Sequence, residues 1–271
     1  MTKDDTNLLK QRVEFLAYIK ESQALLDECL QLVKAESDSK GQKICLGLIT
    51  KIYKLNRSIS NCINSGDDYA MNVLVRPYYE TAISLSYLLK NYKEKNFKEF
   101  MRTDAMRRRD MLEFFHNSPY FSSEDRVYWD VHTKNTIAED GFVLEELPKS
   151  KTGGSWYRGK TYEHMANNLG QEASTIYRML YNMGSTAVHP SWSDIKQGHI
   201  KLNKSSNKFE PNTEEGMPFF LRYSLLLCLT FGVCENYQRR FGDIEGRRAD
   251  EVGQLHKTFH KRHTRKDMDR G

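Results

Sequence analysis

The sequence predicts an all-α protein, a multi-helix bundle with room for one short strand or hairpin near residues 198–211, and three observations carry that prediction. Helix-favouring residues dominate, with only 6 Pro and 16 Gly among 271 residues. Apolar residues recur at helical spacing over runs of twenty residues or more. Alternating apolar and polar strands are absent except for a brief stretch at Ile200–Leu202. A hydrophobic fraction of 39% is enough to fill a sizeable core.

The elements follow in order. From Asn7 to Lys34 the apolar set Leu9, Val13, Leu16, Leu26, Cys29, Leu30 and Val33 forms one inward stripe. After a polar break at 37–41, Ile44, Leu48, Ile52, Leu55, Ile59 and Ile63 repeat the pattern, and the short connection makes the two helices antiparallel neighbours. Ser65, Gly66 and Asp67 interrupt and cap. Tyr69 to Asn91 is apolar on most sides, as a central helix should be, and Pro77 inside it predicts a kink beside Arg76 and Glu80. A fourth helix runs from about Lys93 to His116, and a fifth is capped by Ser122 or Ser123. Residues 140–160 read as a long connection. Thr161–Leu169 and Gln171–Val188 are helices separated by Gly170, the second stopping because His189 precedes Pro190. Glu214–Arg240 is an apolar closing helix, and the remaining residues to the C-terminus are charged. The expected organisation is a bundle domain over 1–242 and a basic tail over 243–271.

Composition restricts function weakly. Lys and Arg exceed Asp and Glu by 41 to 36, which permits nucleic-acid contact without requiring it. Five cysteines at no metal-ligand spacing read as reduced core thiols. The polar start of the chain lacks a secretory pattern, so a cytoplasmic location is expected. The most apolar stretch, Phe219–Cys234, is short for a bilayer and contains Arg222, so no membrane partner is expected. No phosphate-binding glycine loop, dinucleotide fingerprint, zincin motif or hydrolase elbow occurs, and no cofactor is expected.

Two places concentrate chemistry. Ser185 and His189 are four apart on one helical face, and His189 lies at a helix C-terminus, where exposed carbonyls favour imidazolium. That suits a general acid or base; a histidine that merely bonds a carbonyl in the next loop is the other reading. Arg76 and Glu80 are charges at i,i+4 on an apolar helix. Either they form an internal salt bridge that sets helix register, or Arg76 holds an anion while Glu80 orients Arg76 or His189. Trp156, Arg158 and Lys160 either stack on and neutralise a nucleotide or anchor a loop onto the core. His256, His260 and His263 share a helical face, but no Glu or Cys joins them in a metal pattern. The surrounding Lys257, Lys261, Arg262, Arg265 and Lys266 suit a tail that contacts nucleic acid or stays unstructured.

Three phrases occur in a telling order: Val75-Arg76-Pro77-Tyr78-Tyr79-Glu80-Thr81-Ala82, then Trp156-Tyr157-Arg158-Gly159-Lys160-Thr161-Tyr162-Glu163-His164-Met165-Ala166, then Tyr181 with Ser185 and His189-Pro190-Ser191. Together they resemble the bacterial helical family called domain of unknown function 5677. The helix ending in His is more loosely similar to HEPN-type ribonucleases and toxins. That likeness implies a homodimer cleaving RNA without metal, through a His preceded by an Arg with four to six residues between them. Here Asn182, Met183 and Gly184 stand where that Arg would come from. Of these only Asn182 can polarise a phosphate, so Arg76 or Arg178 would have to supply the cation. The expectation is therefore an RNA-directed protein, a metal-independent endoribonuclease or toxin connected with phage defence. Its alternative is a non-catalytic helical module whose partner is another protein.

Overall fold

The computed structural model describes residues 3–32, 39–148, 161–188, 200–203, 205–211, 220–242 and 246–268. Among them the chain is all-α apart from one small hairpin. The helices are α1 (Lys3–Leu32), α2 (Lys40–Ser65), α3 (Asp68–Lys90), α4 (Glu94–Asn117), α5 (Ser123–Glu139), α6 (Tyr162–Leu169), α7 (Gln171–Val188), α8 (Phe220–Phe241) and α9 (Arg247–Met268). Strands β1 (Ile200–Asn203) and β2 (Lys208–Pro211) pair antiparallel, with Leu202 opposite Phe209. The sequence places a strand or hairpin there, and a hairpin forms. Asn203 Oδ1 accepts from the N–H groups of Ser205 and Ser206, while Asn207 takes the left-handed conformation at φ 49°.

The residues that punctuate the sequence terminate the helices. The Ser39 hydroxyl caps α2 by accepting from Gln42 N–H. Gly66 ends the same helix at φ 79°, its N–H bonded to Ile63, and Asp67 Oδ1 then accepts from Ala70 N–H to start α3. Ser122 caps α5 in a reciprocal box with Asp125. Thr161 Oγ1 accepts from His164 N–H at the start of α6.

The chain divides into two compact units, 1–90 with 166–271, and 91–165. In the first unit α3 is central, and every residue from Thr81 to Leu89 is buried. The helix runs unbroken through Pro77. The hydroxyls of Thr81 and Ser84, which burial would otherwise strand, donate to the carbonyls of Pro77 and Glu80 at 2.6 Å each. Helix α3 packs on α2, α7 and α8, and the Tyr78 hydroxyl bonds Thr230 of α8 deep in the core. A polar seam joins α1 to α2 through Gln23 Nε2 donating to Ser60 Oγ at 2.9 Å.

Residues 247–268, where the sequence is charged, form a packed helix. Ala249, Val252 and Phe259 are buried, and the Phe259 ring meets Tyr18 of α1 and Phe231 of α8 edge-on, at 4.7 and 5.5 Å. Arg248 grips Glu28 of α1 with two bonds of 2.9 and 2.7 Å. A charged composition and an ordered helix coexist here because three inward positions suffice to bury one stripe.

The second unit is built on α4 and α5. Phe115 stacks on Trp129 at 5.0 Å, and Ala105, Ile137 and Leu147 form a small core with Met106, Phe142 and Leu144. Of the arginines between 102 and 109, Arg108 pairs with Asp104 at 2.6 Å and Arg109 donates to the Leu147 carbonyl. No helix among the described residues is long and apolar enough to cross a membrane. The apolar stretch near Phe219–Cys234 instead supplies α8, whose Leu225–Cys228, Phe231, Val233, Cys234 and Tyr237 are buried.

Candidate functional site

Helices α3 and α7 pack against each other, and Arg76 of α3 reaches Tyr181 of α7. Arg76 and Glu80 are one turn apart on α3, and Arg76 Nε donates to Glu80 Oε1 at 3.0 Å. Their side chains are 27% and 21% exposed, so solvent reaches both charges. The pair is thus neither fully internal nor an ordinary surface pair. Its hydrogen bond to Glu80, before any other cause, raises the Arg76 pKa further, and the guanidinium is a permanent cation.

The same guanidinium sits over the ring of Tyr181 on α7, 5.6 Å from its centroid. Beneath it an aromatic ladder continues the α3–α7 seam. Tyr181 meets Tyr177 at 5.5 Å, and Tyr177 meets the buried ring of Tyr79 edge-on at 5.8 Å. Burial, with the Glu80 charge adding to it, pushes the Tyr79 phenol well above its ordinary range, so that hydroxyl stays protonated. Its oxygen is buried without a hydrogen-bond partner among the described residues. The arrangement therefore offers a fixed cation, a carboxylate that orients it, and an aromatic face, all partly open to water. Such a site can hold an anionic or planar group.

Helix α7 reaches Val188, and His189 comes next in the chain. His189 itself lies outside the described residues, as do Trp156, Arg158 and Lys160. Asn182 and Ser185 are within α7 and Lys261 and Arg262 within α9, but their side chains lie outside those described. Arg178 is exposed on α7, one turn before Tyr181. Of the residues singled out from the sequence, the structure therefore joins Arg76 to Glu80 and sets Arg76 over Tyr181 on the helix that leads to His189.

The aromatic partners Tyr79, Tyr177 and Tyr181 escaped sequence reasoning as site components. The i,i+4 pair Tyr177 and Tyr181 was the available signal, and it reads equally as core packing until the facing helix is known.

No curated protein and no solved structure matches the chain significantly. The stretch from α2 to the hairpin, residues 42–209 and more than half of the chain, matches the model of the family of unknown function DUF5677, and the chain belongs to that family.

Proposed function

We propose that this is an RNA-directed protein resembling HEPN ribonucleases, with Arg76 as phosphate ligand and His189 as acid or base. One observation carries the reading: Arg76, oriented by Glu80 and partly open to solvent, lies against Tyr181 on the helix that leads to His189. In HEPN enzymes the Arg precedes the His on one helix; here a neighbouring helix supplies the cation. The chemistry requires no metal. An imidazole takes the proton of a ribose 2′-hydroxyl, the 2′-oxygen attacks the adjacent phosphorus, the bond to the 5′-oxygen breaks, and the imidazolium returns the proton to that oxygen, leaving a 2′,3′-cyclic phosphate and a free 5′-hydroxyl. A guanidinium stabilises the charge that gathers on the phosphate oxygens. Ser185, one turn before His189 in sequence, and Asn182 would contact the same phosphate, while Arg178, Trp156, Arg158 and Lys160 would bind flanking nucleotides.

A cytoplasmic setting belongs to the same proposal. The five cysteines, Cys29, Cys45, Cys62, Cys228 and Cys234, are all free thiols, which suits a reducing compartment. A bacterial toxin or phage-defence role rests on the resemblance alone.

RNA incubated with the protein in excess chelator should be cleaved to cyclic-phosphate ends. His189→Ala and Arg76→Ala should each abolish cleavage while the protein still melts cooperatively. RNA left intact by the wild-type chain, or a His189→Ala variant that melts lower yet keeps its activity, would sink the catalytic reading in favour of a non-catalytic module.

A further inference from the structure

A second site lies within the first unit, at the end of the α3–α7 pair away from Arg76. It is a cleft of about 700 Å³, within the range of small-molecule pockets, between α3, α7, α8 and α9. Lys90, on its rim, is roughly 20 Å from Arg76 by helical rise along α3.

The cleft is graded. Its walls are apolar, with Ile83 from α3, Ile176 from α7, and Leu229 and Val233 from α8. Its rim is cationic. Lys90 ends α3, and Arg239 and Arg240 lie in the last turn of α8. Facing them is the start of α7, where Ser174 N–H makes the first bond back to Gly170, so the N–H groups before it form the positive end of an 18-residue helix. Lys90, Arg239 and Arg240 line the cleft with one carboxylate, Glu172, and the charge of Arg239 is offset by two carboxylates of its own, Glu235 and Asp250. Lys90 donates to the Asn168 carbonyl at 2.6 Å, and Arg239 bridges Glu235 and Asp250 at 3.0 and 2.9 Å.

Two further details point to an occupant. His256 of α9 lines the cleft with its Nε2 buried, 3.5 Å from Glu172 Oε1 and without a hydrogen-bond partner among the described residues. Glu172 lies within ion-pair distance but outside good hydrogen-bond geometry, so a polar atom in the cleft can still bond that nitrogen. Beside it, Gly232 stands in the interior of α8, where glycine is a poorer helix former than alanine. Packing does not demand that glycine, because a Cβ there would meet nothing nearer than His256 Cε1 at 3.6 Å. Its effect is to keep the wall open.

We propose that the cleft binds a small amphipathic anion, with a carboxylate or phosphate head on the rim at Lys90, Arg240 and the first turn of α7. The apolar body lies over Ile83, Ile176 and Val233, and His256 Nε2 bonds a polar atom near its base. The site stands apart from Arg76 and His189, and its test does not depend on RNA chemistry.

Calorimetric titration of the full chain with octanoate, octyl phosphate, octanol and octylammonium tests this. At least one of the two anions should bind about tenfold tighter than the alcohol or the amine, and the tighter of the two identifies the head group. Arg240→Glu and Gly232→Leu should each weaken that binding by about tenfold or more, the first by reversing a rim charge and the second by filling the wall, while Gly232→Ala should not. Circular dichroism on each variant checks folding, and Arg240→Glu carries the test if Gly232→Leu does not fold. Octanol binding as tightly as the anions, no binding of either anion up to about 10 mM, or unchanged anion binding by folded Arg240→Glu would overturn the proposal.

Discussion

At Arg76 the exposure of the ion pair decides what a substitution does. Removing one partner of a fully buried pair strands a charge and costs several kcal/mol, but Glu80 remains 21% exposed, and water can take over from the guanidinium. Arg76→Ala should therefore lower stability by only about 1 kcal/mol, including the cation–π interaction with Tyr181. Arg76→Lys keeps the charge but not the planar donor at Nε, and is expected to restore stability more fully than RNA cleavage. Equal loss of both in the two variants, measured by urea melts and cleavage rates on one preparation, would reduce the pair to a structural tie. The thiols make a separate prediction. Burial pushes Cys45 and Cys228 from 9.0 up to about 12. The folded chain then holds protons that the unfolded chain releases above pH 9, so stability falls as pH rises. Each thiol removes about 1.4 kcal/mol per pH unit between those two values. Denaturant melts from pH 8 to 10.5 should show this decline, and Cys45→Ala with Cys228→Ala should make it shallower after allowance for poorer packing, leaving the share of Cys62 and Cys234, whose thiols are also raised.

The helix ends matter more than their propensities. Ser122 and Asp125 close the start of α5 reciprocally, and Ser122→Ala should cost about 1 kcal/mol. Gly66, in the left-handed conformation at φ 79°, should cost about the same when replaced by alanine. Thermal melts of both variants check these values, and a Gly66→Ala protein of unchanged melting temperature would contradict the capping assignment. Helix α3 illustrates the opposite case, in which tertiary packing overrides a local breaker. Pro77 cannot donate to the carbonyl of Val73, yet burial of the run Thr81–Leu89 on several neighbours holds one continuous helix.

For the whole molecule, the last helix is structural as well as basic. Cutting the chain after Asp250 removes Val252 and Phe259 from the first unit and bares Phe231, so the truncated protein should lose its cooperative melt. Such a deletion cannot separate folding from nucleic-acid binding. Charge reversal can. Lys261→Glu with Arg262→Glu should leave the melt in place and weaken RNA binding. The slope of log affinity against log salt should fall by about 0.7 for each phosphate that the variant no longer neutralises. An unchanged slope would place RNA binding elsewhere. The family match ends at residue 209, so α8 and α9 stand outside it while packing into the same unit as α3 and α7.

Helical class, most element bounds and the caps at Gly66, Asp67 and Ser122 were legible in the residues, because helix periodicity, Gly66, Ser122 and Gly170 act within a turn or two of themselves. The pairing of Arg76 with Glu80 was legible for the same reason, since an i,i+4 pair is local. Only the tertiary structure decided which surfaces meet. The ring of Tyr181 under Arg76, the bond from Tyr78 to Thr230, and the cleft that sets Lys90, Gly232 and His256 around one space join residues far apart in the chain. The burial of Phe259 is of the same kind. Charge pattern alone describes a solvated tail there, whereas an apolar stripe becomes a core only when α1 and α8 present rings for it to cover.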